Sequence, residues 1–393
     1  MRILHITTFL QGGAGRAIVS LAVAQQRAGH GVVVVGDAGG EPGYGNYPEH
    51  MAALAAADIP CHLVTSTFKR DAALNAQAAA QVRDLLQAGG VDLVHAHAAV
   101  PGLVAREALA APRAPAIVHT MHGWGVAKSA EQARADLAIL AQADALVTPS
   151  HAALDALRRL GLAAVPAHVV PYGIGTQAPG MPIDAADAEL FKALRAAGRR
   201  VVLCIGTIGV RKNQTLLVEA LAHPGLAGAD AVFIGEGETA LLTDRAAALG
   251  VRGRVHVLGY RVAASRYLAA ADALVLPSRN EGLPLVILEA LRAGVPVAAT
   301  AIPEIAEMID DCDSGFLAPS DDGEGLAVAV ACAVAASGDQ GFRSRLRRVF
   351  ASAYAVDRMT DAYQGLYDSV CARDAAEPAS DGTAIAAEAG IRA

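Results

Sequence analysis

Short apolar runs of strand character alternate with helical stretches in two successive series, and this doubled βα rhythm restricts the possible folds more than any other feature of the chain. The first series has strand-like runs at residues 3–7, 32–35, 93–97, 116–120 and 145–148, with helical spacing beginning near Ala14. The second has them at 201–205, 231–234, 255–258, 273–276 and 295–298. Strands joined through helices pair in parallel, and a parallel sheet is covered on both faces, so such runs are apolar along their length. Between the series, Val169-Val170-Pro171-Tyr172-Gly173 leads into a stretch with Pro179, Gly180 and Pro182, where neither spacing continues.

Single cores stop growing at roughly 250–300 residues, so 393 residues in two βα series imply two Rossmann-like α/β domains facing each other across a cleft. The expected divisions are a first domain at 1–175, a linker region at 176–198 and a second domain at 199–353. Tyr363, Leu366, Tyr367 and Val370 share one helical face, so 354–373 is expected to be a last helix crossing back to the first domain. Residues 374–393 carry no apolar stripe and are expected to form a frayed tail. Ligands of open parallel sheets bind beyond the carboxyl ends of the strands, which places the site in the cleft.

A formal charge of -7 gathers no nucleic acid. The basic run Arg343, Arg345, Arg347 and Arg348 fits an exposed helix face, with contact to anionic lipid as the weaker reading. Five cysteines, Cys61, Cys204, Cys312, Cys332 and Cys371, are widely spaced and odd in number, as in reduced cytosolic thiols. His5, Thr7 and Thr8 interrupt the apolar N-terminus, which reads as a strand rather than a signal sequence, and no stretch approaches the roughly 20 apolar residues of a bilayer span. The expected location is the cytoplasm, at most at the inner face of the membrane.

Two segments carry the chemistry. In Pro277-Ser278-Arg279-Asn280-Glu281-Gly282-Leu283-Pro284-Leu285-Val286-Ile287-Leu288-Glu289-Ala290, Glu281 falls in a strand-to-helix loop and Glu289 two turns into the following helix. A carboxylate accepts two hydrogen bonds from a ribose diol, and the Gly282 and Leu283 amides can meet phosphate or sugar oxygens. Glu289 lies among Leu288, Ala290 and Leu291, where a merely solvated acid would be wasteful. In Cys204-Ile205-Gly206-Thr207-Ile208-Gly209-Val210-Arg211-Lys212-Asn213-Gln214, two cations stand at a helix mouth, against the helix dipole, where they can neutralise a departing diphosphate. The chain has only four lysines, Lys69, Lys128, Lys192 and Lys212, and one of them is here.

Weaker signals lie elsewhere. Gln11-Gly12-Gly13-Ala14-Gly15-Arg16 follows the first strand and suits either a tight turn or a ligand loop; as half a dinucleotide fingerprint it lacks the third small residue. His95, His97, His119 and His122 cluster at strand ends, where packing or hydrogen bonding is expected over a metal, because no third ligand is obvious. Asp311-Cys312-Asp313 has the spacing of a divalent-ion site but is expected to be a polar turn after a helix over 303–309.

Together these motifs resemble glycosyltransferase family 4, with the GT-B fold. Glu281 and Glu289 fit its E-x7-E signature, Gly294-Val295-Pro296-Val297 the G-x-P-V of its strand entry, and Gly12-Gly13 with Arg16 its G-G-x-x-R loop. The resemblance implies a retaining transferase moving a sugar from a nucleotide diphosphate, UDP first and GDP second, onto a glycan, lipid-linked or small-molecule acceptor, by a front-face route. Under it Glu289 holds the ribose, while Glu281, Gly282 and Leu283 meet the transferred sugar and diphosphate. Gly12, Gly13, Gly206 and Thr207 line the donor, His122 of His119-Thr120-Met121-His122-Gly123 lies beside the donor sugar, and His97 and Arg16 lie on the acceptor side. Thr207 stands where the family has an arginine, a contact that Arg211 would then supply. Lys212 and Arg211 replace a metal ion, so no cofactor is expected. An epimerase, hydrolase or non-catalytic binder on the same fold is the alternative.

Overall fold

The computed structural model describes residues 1–41, 43–109, 115–125, 128–177, 180–309 and 313–376. Two parallel sheets organise them. The first contains β1 (Arg2–Ile6), β2 (Gly31–Asp37), β3 (Cys61–Val64), β4 (Leu93–His97), β5 (Ala116–Thr120), β6 (Ala145–Thr148) and β7 (Ala167–Val169), in the order β3-β2-β1-β4-β5-β6-β7. The second contains β8 (Arg200–Ile205), β9 (Ala229–Ile234), β10 (Val255–Gly259), β11 (Ala273–Leu276), β12 (Val297–Thr300) and β13 (Phe316–Ala318), ordered β10-β9-β8-β11-β12-β13. In each sheet the order turns back beside the first strand, β1 against β4 and β8 against β11, and that crevice is where ligands of open sheets bind.

β3 and β7 are missing from the sequence reading for a physical reason. Both are short edge strands, with His62 and Leu63 of β3 and His168 of β7 exposed, so neither is a continuous apolar run. The stretch read as linker contains a helix, Ala185–Ala196, whose buried Phe191 and Leu194 join the second-domain core. The helix expected over 303–309 is a single turn, Pro303–Ala306. Asp311 and Cys312 lie outside the described residues, as does Pro179.

The last helix, Val356–Ala376, extends three residues past its expected end. Met359, Tyr363, Leu366, Tyr367 and Val370 form its buried face and pack with Ile3, Leu93, Val118 and Val147, so the helix completes the core of the first domain from the far end of the chain. A backbone bridge between Ile174 and Ala355 marks where the chain crosses back. Among the described residues no single helix is long and apolar enough to cross a membrane. In the basic run, Arg343, Arg345 and Arg347 donate to the carbonyls of Ser337, Asp313 and Ala293, which ties that helix to its own domain.

Candidate active site

The second-domain wall is built at the carboxyl ends of β8 and β11. After β8 the chain turns at Gly206, with φ +143°, a value that an L side chain rarely adopts, and Lys212 folds back over that glycine. Asn213, in the left-handed region at φ 49°, then turns the chain into the helix Gln214–Leu221. Lys212 Nζ is 2.6 Å from Glu281 Oε1, to which Ser278 Oγ also donates at 2.6 Å. Arg211 Nη1 donates to the Asn280 carbonyl at 3.0 Å and lies 3.4 Å from Glu281 Oε2. The Glu281 side chain is only 5% exposed, so these donors are what allow a carboxylate to remain there. Two cations against one carboxylate leave a net positive charge facing the cleft.

Pro284 delays the next helix, which runs Leu285–Ala293. Gly282 and Leu283 therefore lie in the loop before it rather than at its start, and Glu289 stands little more than one turn in. Glu289 is buried against Arg16 of the first domain, with Arg16 Nη1 2.5 Å from its Oε1. This ion pair spans the cleft. A side chain on Gly282 would come within 2.6 Å of the His122 carbonyl oxygen, so the glycine lets the two walls touch.

Across the cleft, Gly12, in the left-handed region at φ 58°, opens the helix Gly12–Arg27, which carries Gly13 and Arg16. His122 follows β5. A cavity of about 430 Å³ lies between the walls. Gly12, Gly13, Arg16 and His122 line it from one side, Gly206, Thr207, Arg211 and Lys212 from the other, and Glu281, Gly282, Leu283 and Glu289 along its floor. Of the site residues that the family resemblance implies, only His97 is absent from this lining. It is buried behind His122, its two ring nitrogens bonded to His5 and His122, so it cannot face an acceptor. Arg16, expected on the acceptor side, is drawn instead to the Glu289 carboxylate.

Sequence reasoning missed Tyr172 and an apolar wall formed by Trp124, Leu157 and Leu160. Tyr172 was assigned to the interdomain break, yet it lines the cavity and bonds His122 Nδ1 at 2.6 Å. A second cavity of about 420 Å³ opens from Gly206 and Thr207 past Gly235, Glu236 and Tyr260, and Tyr260 reaches across the cleft to Glu49 at 3.1 Å. A third, about 500 Å³, shares Arg211, Glu281 and Gly282 with the first and is walled by Trp124, Leu157 and Leu160. Glu304 also lines it, its carboxyl pushed above the usual range by burial and by the neighbouring Glu281 and Glu307.

His5 is the third histidine that the sequence did not reveal. Its ring nitrogen and those of His95 and His97 lie within 4.8 Å of one another. Every ring nitrogen of the three already has a protein partner, among them Gln25, Tyr367, Thr120 and His122, so hydrogen bonding accounts for the cluster without an ion.

Residues 11–178 match the model of Glycosyltransferase Family 4, and residues 199–335 that of Glycosyl transferases group 1. D-inositol 3-phosphate glycosyltransferase of Saccharomonospora viridis is 30% identical over 313 residues, 71% of this chain and 70% of the relative. The chain belongs to glycosyltransferase family 4. Another relative, the UDP-Gal:alpha-D-GlcNAc-diphosphoundecaprenol alpha-1,3-galactosyltransferase of Escherichia coli, is 26% identical over 59% of this chain and 64% of its own length. The fold matches the Anabaena protein HepE in complex with UDP and glucose, with TM-score 0.76 at 20% identity over 94% of this chain and 100% of that one. The family-4 chain thus has the GT-B fold and is a hexosyltransferase-type glycosyltransferase, with its cavity between the two domains.

Proposed function

We propose that this transferase takes its sugar from a UDP-sugar, with a GDP-sugar as the second choice, and transfers it with retained anomeric configuration and without a metal ion. One observation carries the reading: Glu289 and the Lys212–Glu281–Arg211 cluster share a single cavity of about 430 Å³. A buried carboxylate suits a ribose diol, and paired cations suit the oxygen on which charge grows as the glycosidic bond breaks. The base would enter the adjoining pocket beside Gly235 and Tyr260; the UDP-sugar named for the Escherichia coli relative supports uracil there. Of the carboxylates lining the main cavity, Glu281 is held by Lys212, Glu289 by Arg16 and Glu49 by Tyr260. None is poised as a covalent nucleophile, which favours the front-face route, in which the leaving phosphate helps deprotonate the acceptor.

A glycan or lipid-linked acceptor would approach through the third cavity, its apolar portion along Trp124, Leu157 and Leu160 and its hydroxyl toward the Arg211–Glu281 edge. A lipid-linked acceptor would place the reaction at the inner face of the membrane.

Calorimetry tests the donor reading. Glu289→Ala is expected to weaken UDP and UDP-sugar together by about tenfold or more, because a hydrogen bond to a charged acceptor contributes roughly 1.5–3 kcal/mol. Unchanged affinity in a folded variant would take Glu289 out of the ribose site. Turnover should also survive exhaustive EDTA treatment, since Arg211 and Lys212 supply the positive charge. Activity lost to EDTA and restored by manganese would overturn the metal-free reading.

A further inference from the structure

Behind the first-domain wall, nine polar side chains form one unbroken hydrogen-bonded chain, and the His122–Tyr172 end of it lines the donor cavity. Gln25, 1% exposed on the helix Gly12–Arg27, sits in the middle. Its amide oxygen faces His5 Nε2 at 2.8 Å, and His5 Nδ1 lies 2.9 Å from His97 Nε2. His97 Nδ1 is 3.0 Å from His122 Nε2, and His122 Nδ1 is 2.6 Å from Tyr172 Oη. In the other direction the Gln25 amide nitrogen donates to Tyr367 Oη at 3.3 Å, which is 2.7 Å from His95 Nδ1. His95 Nε2 meets Thr120 Oγ1 at 2.7 Å, and Thr120 meets Tyr363 Oη at 2.9 Å. Tyr363 and Tyr367 come from the last helix, which therefore anchors the chain from outside the domain it completes.

The hydrogens in such a chain are not independent. Burial keeps these imidazoles neutral: it lowers His5 and His122 to about 4 and holds His95 and His97 well below the usual value. A neutral ring has one N–H and one lone pair, so fixing one end fixes the next. The Gln25 oxygen accepts from His5 Nε2–H, which leaves His5 Nδ1 to accept from His97 Nε2–H. His97 Nδ1 then accepts from His122 Nε2–H, and His122 Nδ1 accepts from the Tyr172 hydroxyl. The alternative partner for that hydroxyl, the His122 carbonyl, is farther away at 3.4 Å.

We propose that Tyr172 is a specificity-determining residue that accepts a hydrogen bond from a hydroxyl of the transferred sugar, its own proton being committed to His122 by the orientation of the distant Gln25 amide. The sugar contact rests on the nucleotide-sugar reading of the cleft. Gln25 is a positioning residue that acts through His5, His97 and His122. With the Gln25 amide nitrogen toward Tyr367 the chain has this polarity; turning the amide over would reverse every donor and acceptor along it and make Tyr172 a donor to the cleft.

NMR of the full chain labelled with ¹⁵N-histidine reads the polarity directly, each ring being assigned by its own His→Gln variant. His5, His95, His97 and His122 are expected as neutral Nε2–H tautomers. Nδ1–H forms at His5, His97 and His122 would overturn the proposal, because Tyr172 could then donate. Calorimetry with UDP and a UDP-sugar reads the consequence. Tyr172→Phe should weaken the UDP-sugar about tenfold and leave UDP unchanged, as expected for one lost hydrogen bond to the sugar. Gln25→Met should do the same, and the double variant should lose no more than Tyr172→Phe alone. Equal losses for UDP and UDP-sugar, or additive losses in the double variant, would sink the coupling. If Tyr172→Phe does not fold, Gln25→Met and the wild-type spectrum still decide. A wild-type protein that binds no UDP, GDP or sugar derivative of either would end the donor reading and the sugar contact with it, while the tautomers would still settle the polarity.

Discussion

Lys212→Gln is expected to lower turnover about a hundred- to a thousandfold while changing the dissociation constant of the sugar donor only a few-fold. Lys212 Nζ sits 2.6 Å from Glu281 Oε1 and is largely shielded, with its side chain 15% exposed. Under the proposed function its charge in the ground state would be shared between that carboxylate and the donor's diphosphate. As the glycosidic bond breaks, negative charge accumulates on the departing diphosphate, and a cation already fixed in place stabilises the transition state without reorganising. Such pre-positioned electrostatic contacts are worth roughly 2.7–4 kcal/mol, and an interaction that strengthens only in the transition state acts on turnover rather than on ground-state affinity.

Glutamine suits this experiment better than alanine, because its amide can still donate to Glu281. Alanine would leave a carboxylate that is 5% exposed with only Ser278 and the 3.4 Å contact to Arg211, mixing a folding defect with a catalytic one. Arg211 is 54% exposed and farther from Glu281, so Arg211→Gln should cost less stability; the double variant should lose less activity than the sum, since both cations serve one diphosphate. Single-turnover kinetics with separately measured donor affinity decide the matter. Normal turnover with a raised KM would show that Lys212 binds the donor without assisting its departure.

The fold was legible wherever burial was uniform. β4, β5, β6 and β11 lie at the predicted residues because each is a short run buried along its whole length, whereas β3 and β7 escape because an edge strand need not be apolar. At the site, Lys212, Glu281 and Glu289 could be found from sequence because each is a charged residue in a place that punishes charge. Tyr172 and His5 could not, since a tyrosine beside a proline and a histidine within a first strand look like ordinary interior residues. Their role arises from contacts with residues 50 and 92 positions away, which no local pattern records. His97 misled for the same reason: its strand end points toward the cleft, but His122 stands in front of it.

Stability is expected to fall steeply as pH drops below about 6.5, more steeply than carboxylate titration alone would produce. Burial lowers His5 and His119 to about 4 from an ordinary 6.5, and the Arg106 charge adds to the effect at His119. Both rings are buried, at 0% and 1% exposure, and must stay neutral in the native protein while they take up protons freely once unfolded. For a depressed group of this kind the stabilising contribution is complete above the unfolded value, near 6.5, and is lost progressively as pH falls toward the folded value, near 4. The unfolded state binds more protons throughout that window, so unfolding free energy decreases with acidification. Each ring at its limit contributes roughly 3 kcal/mol, and His95 and His97, held lower still, add to the loss. His122, lowered by burial to about 4 as well, adds to it. The total rivals the roughly 5–15 kcal/mol that holds a typical domain together. Asp187, which hydrogen bonds to Arg261 hold below the ordinary carboxylate value, loses its contribution only below about 3.8, outside this window. Urea unfolding at pH 7, 6, 5 and 4.5 measures the effect, and His119→Asn separates desolvation from hydrogen bonding, because no described group bonds His119 Nδ1. That variant should flatten the pH dependence by about one proton. Free energies that stay level from pH 7 to 4.5 would mean that the buried rings take up protons as readily in the folded state as in the unfolded one, and burial would then not be what keeps them neutral.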